Sequence, residues 1–174
     1  KRISNNDLVL GNFEAPIESK GVPLYKAGPS LYQDKNALSI LRKAGFHVLS
    51  LANNHIMDFG TDGLRETLEE CREEGFMFTG AGLNRADAFK PVIAKVKDMN
   101  IAILSFAEIE FGAIDLSDDK PGYAWICDPL ALESIKKAKQ GSDIVIVCAH
   151  AGNEEVPFPS IYRQSLFRQF VDSG

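Results

Sequence analysis

Apolar runs short enough to be strands alternate with helical stretches along this chain, and that order constrains the fold more than any other feature. "DLVLGNF" (7–13), "HVLSLA" (47–52), "FMFTGAG" (76–82) and "SDIVIVCAH" (142–150) read as strands. Helical spacing of apolar residues separates them at 34–45, 60–75 and 128–141, and a last helix runs from Ser160 to the end. Strand–helix–strand order demands crossover connections, and so a mainly parallel sheet covered on both faces. "PVIAKVKDMNIAILSFAEI" adds two antiparallel strands joined by a tight turn around Asp98–Asn100.

Local signals place the helix ends. Asp34 is the expected N-cap of the first helix, in which Leu38, Leu41 and Ala44 recur at helical spacing and which Gly45 closes. Thr61 or Asp62 is expected to cap the second, whose stripe is Leu64, Leu68 and Cys71 and whose end is Gly75. Pro129 opens the third and Gly141 follows it. In the last, Ile161, Leu166, Phe167 and Phe170 are expected to face inward. The loop "EAPIESKGVPLYKAGPS" has no period.

Composition narrows the function. A chain of 174 residues that is 45% hydrophobic and 25% charged suits a single globular domain, 1–174. Its net charge of −5 argues against a nucleic-acid partner, and "KKAK" (136–139) reads as a solvated helix face. Cys71, Cys127 and Cys148 are odd in number and far apart, which suggests neither a disulfide framework nor a thiolate zinc site. No run reaches the roughly 20 apolar residues of a membrane span. The chain opens on a strand without an initiator Met and closes on a capped helix, so it reads as the interior of a longer protein, with any anchor or signal outside it.

The polar residues cluster where apolar strands stop. The first strand ends in Asn12 and Glu14, the second in Asn53, Asn54, His55 and Asp58, and the strand at 142–150 in His150, followed by Glu154 and Glu155. In open α/β sheets ligands bind outside the carboxyl ends of strands, so parallel neighbours would bring the three clusters to one rim. Carboxylate, amide oxygen and imidazole together suit Mn, Zn, Fe or Mg. His55 could clamp or protonate a substrate, and Asp58, three residues on, could fix its ring. Taken singly, each cluster also fits plain turn chemistry. His47, at the opposite end of its strand, reads as structural; "GAGLN" (80–84) reads as a turn; Ser105 lacks a nucleophile-elbow context; and Trp125 reads as core.

Four ordered blocks carry a family resemblance across nearly the whole chain. They are "GNFEAPI", "SLANNHIMDFG" running on through the helix that follows, "GAGLNRADAFKPVI" and "HAGNEE". Together they resemble the CapA-type capsule and poly-γ-glutamate synthesis family of the calcineurin-like metallophosphatase superfamily. The resemblance implies a four-layer α/β/β/α sandwich with a dimetal centre at its strand ends, here an interior fragment lacking the first strand and the C-terminal strands. It implies Glu14, Asn54 and His150 as metal ligands, and His55 oriented by Asp58 as the group acting on substrate. Asn12, Asn53 and Glu154 would contact substrate. Asn12 stands where the superfamily usually has Asp, and Ala151 where a Trp often follows the histidine. The superfamily's Asp-x-His and Gly-x-His-x-His blocks would fall before and after this chain, so weak metal affinity is expected of it alone.

The function so implied is metal-dependent hydrolysis or transfer on a phosphoester or polymer in capsule or polyglutamate synthesis, at an extracytoplasmic, envelope-associated location. The polymer and the membrane proteins of its synthesis would be the partners. A second expectation, favoured by Asn12, is a non-catalytic accessory or scaffold role in the same complex. A third is an α/β domain whose strand ends bind nothing.

Overall fold

A computed structural model describes residues 6–110 and 118–174. The elements run β1 Leu10–Asn12, α1 Ala37–Ala44, β2 Val48–Ser50, α2 Gly60–Glu73, β3 Met77–Thr79, β4 Ala81–Gly82, α3 Arg85–Ala88, β5 Val92–Val96, β6 Met99–Ala107, β7 Gly122–Tyr123, α4 Pro129–Gln140, β8 Ile144–His150 and α5 Ile161–Ser173.

Two three-stranded sheets form the centre. In the first, β1, β2 and β3 are all parallel, with Asn12 opposite Ser50 and Ser50 opposite Thr79. In the second, β6 pairs antiparallel with β5 and parallel with β8, with Ala107 opposite His150. Side chains of a strand alternate between its faces, so each sheet feeds two apolar clusters. Leu49 and Phe78 join Leu38, Leu64, Leu68 and Cys71 under α1 and α2. Ala102, Leu104 and Phe106 join Ile135, Leu166 and Phe170 under α4 and α5. Between the sheets, Val48, Leu10 and Met77 meet Ile101, Ile103, Ile146 and Cys148. Three apolar layers separated by two sheets make a four-layer α/β/β/α sandwich, as the motif resemblance implied. Cys71 belongs to one of those layers, and burial pushes its thiol up to about 12.

Several local expectations are corrected. Asp34 does not cap α1: its carboxylate accepts the Asn36 N–H (2.7 Å) in a turn one step earlier, and Asn36 occupies the cap position. α2 begins at Gly60, whose φ of +63° suits glycine, so Thr61 and Asp62 lie inside the first turn rather than capping it. The hairpin turns at Lys97–Asp98, with Lys97 left-handed (φ 55°) and Met99 already paired to Val96. Ile161 is 86% exposed, because a helix sets it about 140° around from Leu166. Gly45 and Gly75 do end their helices, at φ 98° and 73°, and Asp128 caps α4 by accepting the Leu130 N–H.

Candidate functional site

The three polar clusters meet, but across the two sheets rather than along one. β1 and β2 deliver Glu14, Asn54 and His55 from the first sheet. β6 and β8 deliver Glu108, Glu110, His150 and Glu154 from the second. All seven line one cleft of about 450 Å³.

At its centre a chain of hydrogen bonds crosses between the sheets. Asn54 Oδ1 lies 3.0 Å from His150 Nε2, and Asn54 Nδ2 donates to Glu110 Oε2 at 3.1 Å. Beside it, Asn12 Nδ2 donates to Glu14 Oε2 at 3.1 Å, which places Asn12 as a neighbour of Glu14 rather than in the cleft wall.

The two asparagines of "ANNH" divide their work. Asn53 is fully buried and does not line the cleft. Its Oδ1 accepts the N–H groups of Ala15 (3.3 Å) and His55 (3.2 Å), and its Nδ2 donates to the carbonyls of Phe13 (3.0 Å) and Leu51 (3.2 Å). Every hydrogen-bonding site of that amide is committed to backbone. Asn53 thereby braces the chain on both sides of Glu14, where Ala15 holds a left-handed φ of 72°. The expected substrate contact at Asn53 is replaced by this framework role.

His55 is held from behind. Its Nδ1 is 2.8 Å from Asp58 Oδ2, which also accepts the Leu31 N–H at 2.7 Å. Lys26 donates to Asp58 Oδ1 and lies 3.1 Å from His55 Nδ1. Lys26, Asp58 and His55 side chains are 4%, 2% and 9% exposed, so the cluster is shut off from solvent. With Nδ1 engaged, Nε2 is the nitrogen without a protein partner among the described residues. It is therefore the atom His55 can offer to the cleft.

The far wall depends on Arg163. Its guanidinium grips Glu108 with two bonds, Nε to Oε1 at 2.7 Å and Nη2 to Oε2 at 2.6 Å, and also reaches Asn153 Oδ1 at 2.8 Å. Gly152 N–H adds a bond to the same carboxylate. Arg163 holds Glu108 below the usual carboxylate range, helped by Gly152 and opposed by burial. The pair ties the end of β6 to the loop after His150 and to the start of α5.

Four of these residues have no place in the motif reading: Lys26, Glu108, Glu110 and Arg163. The two glutamates carried the same signal as the other clusters, since the apolar run of β6 ends in "AEIE". Lys26 carried none. The residues expected to be bland are so. His47 Nδ1 accepts the Val9 N–H at 3.1 Å, and Asn84 of "GAGLN" caps the short α3 through the Asp87 N–H.

The four-layer sandwich with a histidine-, amide- and carboxylate-lined cleft at its strand ends is a mixed α/β fold, consistent with a metallophosphatase-like fragment. The whole chain, residues 1–174, matches the family described as "Bacterial capsule synthesis protein PGA_cap", and the chain belongs to that family. It is 31% identical over 179 residues to the capsule biosynthesis protein CapA of Bacillus anthracis, covering 99% of this chain and 44% of that protein. It is 32% identical over 171 residues to the PGA biosynthesis protein CapA of Bacillus subtilis, covering 97% and 45%. A probable polyglutamine synthesis accessory protein of Mycobacterium tuberculosis is 31% identical over 162 residues, covering 84% and 42%. The chain thus spans less than half the length of these relatives. Among the described residues, no helix is long and apolar enough to cross a membrane.

The cleft fits a divalent cation in part. His150 Nε2 and Asn54 Oδ1 are 3.0 Å apart, about the spacing of two adjacent ligands each bonded at roughly 2.1 Å. Their mixed nitrogen and oxygen character suits borderline to hard divalent ions. Yet among the described residues no group of three His, Cys, Asp or Glu side chains is close enough to form a full ligand set.

Proposed function

We propose that this chain supplies part of the catalytic site of a divalent-cation-dependent hydrolase or transferase, acting on a phosphoester or polymer substrate in capsular polyglutamate synthesis at the cell envelope. One observation carries the reading: Asn54 and His150, 96 residues apart and on different sheets, set two ligand atoms 3.0 Å apart in a cleft that His55 also lines. Asn54 and His150 would hold the ion, with Glu14 beside them. When bound, the ion would polarise the scissile group and offset charge developing on it. His55, fixed through Nδ1 by Asp58, would present Nε2 to a substrate oxygen for hydrogen bonding and proton exchange. Glu154, on the rim, would meet the substrate's outer portion. The names of the Bacillus relatives support the polymer assignment.

The test uses the full-length protein loaded with Mn²⁺, Zn²⁺ or Mg²⁺. Stoichiometric metal and hydrolysis of a phosphodiester are expected, with metal affinity in His150→Ala lowered by more than the roughly 10- to 100-fold that loss of an outer-shell partner costs. In His55→Ala, turnover should fall by about 10²- to 10⁴-fold with metal retained. A metal-replete protein that retains no ion and cleaves nothing would overturn the reading.

A second reading, an accessory role without catalysis, is favoured by Asn12, an amide where the superfamily usually has an acid, and by the printed name of the mycobacterial relative. Polymer output that persists in folded His55→Ala and His150→Ala strains would establish it instead.

A further inference from the structure

An asparagine that serves as a ligand must present its oxygen, and nothing in its own shape decides which way the amide faces. His150 cannot decide it, because an imidazole nitrogen either donates or accepts according to tautomer. An ionised carboxylate only accepts. Glu110 Oε2 lies 3.1 Å from Asn54 Nδ2, and the opposite end of the same amide lies 3.0 Å from His150 Nε2. Glu110 therefore requires the NH₂ group on its own side and so turns Oδ1 toward His150. In the metal-free protein the same logic makes Nε2 of His150 the donor in this chain of bonds; a bound ion would replace that hydrogen at the nitrogen's lone pair.

We propose that Glu110 is the positioning residue that fixes the Asn54 amide and sets the direction of the Glu110–Asn54–His150 hydrogen-bond chain. Glu110 reaches this place from the segment after β6, and Asn54 from the turn after β2, so the contact joins the two sheets across the cleft. Its consequence for cation binding rests on the function proposed above; the orientation of the amide does not.

Two measurements on the full-length protein separate these claims. In protein labelled with ¹⁵N at asparagine, the Asn54 side-chain NH₂ should show nuclear Overhauser contacts to Glu110 and none to the His150 ring. In Glu110→Ala its resonance should move and contacts to His150 should appear, with the backbone spectrum otherwise preserved. An unmoved resonance would overturn the proposal. In Mn²⁺ titrations, Glu110→Gln should weaken binding by about tenfold. The same substitution should change binding by less than about twofold in an Asn54→Asp background, where both ends of the side chain are oxygen and orientation no longer matters. Equal losses in the two backgrounds would mean that Glu110 acts by its charge alone, and would also overturn the proposal. Should the wild-type protein bind no Mn²⁺ while the amide contacts behave as expected, the metal-site reading fails and the role of Glu110 stands.

Discussion

Arg163 and Glu108 form a two-pronged ion pair at 2.6 and 2.7 Å, with side chains only 15% and 17% exposed. The pair fastens the loop after His150 to the end of β6. Its stabilisation follows the protonation of Glu108, whose folded-state pKa lies below its ordinary value of 4.5. A depressed carboxylate contributes fully above the unfolded value and loses its contribution as pH falls through the folded one. Arg163→Met is therefore expected to cost about 1–2 kcal/mol in urea unfolding at pH 7. The difference from wild type should shrink as pH falls below 4.5. A cost that stays constant down to pH 3 would rule out the ion pair as its source.

Between the sheets, Ser50 Oγ and Ser105 Oγ meet at 2.6 Å, each the other's side-chain partner among the described residues. They are 5% and 1% exposed. Replacing one strands a buried hydroxyl, at about 1–3 kcal/mol, whereas replacing both leaves none. Ser50→Ala and Ser105→Ala should each destabilise, and the double variant should fall well short of their sum. Strict additivity in thermal or urea unfolding would show that the hydroxyls are satisfied elsewhere.

Gly80 lies where the two sheets approach behind that pair. A Cβ there would stand 2.7 Å from Ser105 Cβ and 2.8 Å from Ala52 Cβ, and φ is +96°. Crowding and a left-handed backbone add, so Gly80→Ala is expected to cost about 2–5 kcal/mol. Because Ser105 is the nearer obstacle, Ser105→Gly should recover part of the loss. No recovery would assign the cost to backbone strain alone.

The alternation of apolar runs and helical stripes made β2, α2, α4 and β8 legible, because each carries its period within a few residues. The meeting of Asn54 with His150 was legible only as an expectation about strand ends; that it spans two sheets follows from pairing between β6 and β8, which local sequence does not encode. The roles of Asn53 and Asn54 could not be told apart by composition. They are the same residue type side by side, and the turn after β2 points one amide at backbone and the other at the cleft. The N-caps of α1 and α2 failed for a similar reason: Asp34 satisfies a turn N–H instead, and the left-handed Gly60 starts α2 before Thr61. The β4–β7 pair is too short to show a period, with two residues in each strand.

Lys26 was the least legible of all, because its role depends on Asp58, 32 residues later in the chain. It lies in a loop without periodicity, yet its side chain is 4% exposed and its ammonium is paired to the carboxylate of Asp58, whose side chain is 2% exposed. Asp58 also holds that loop through its carbonyl, which accepts the Leu24 N–H at 2.8 Å, and through its bond from the Leu31 N–H. Removing the ammonium leaves a buried carboxylate with His55 as its remaining ionisable partner. Lys26→Met is expected to destabilise by about 3–5 kcal/mol, the usual cost of an orphaned buried charge. Adding Asp58→Asn removes that charge, so the double variant should be less destabilised than the two single costs summed. Urea unfolding of the four proteins gives the coupling directly. Independent costs for Lys26 and Asp58 would mean that the loop is held by its backbone bonds and that Lys26 is not what keeps Asp58 beneath His55.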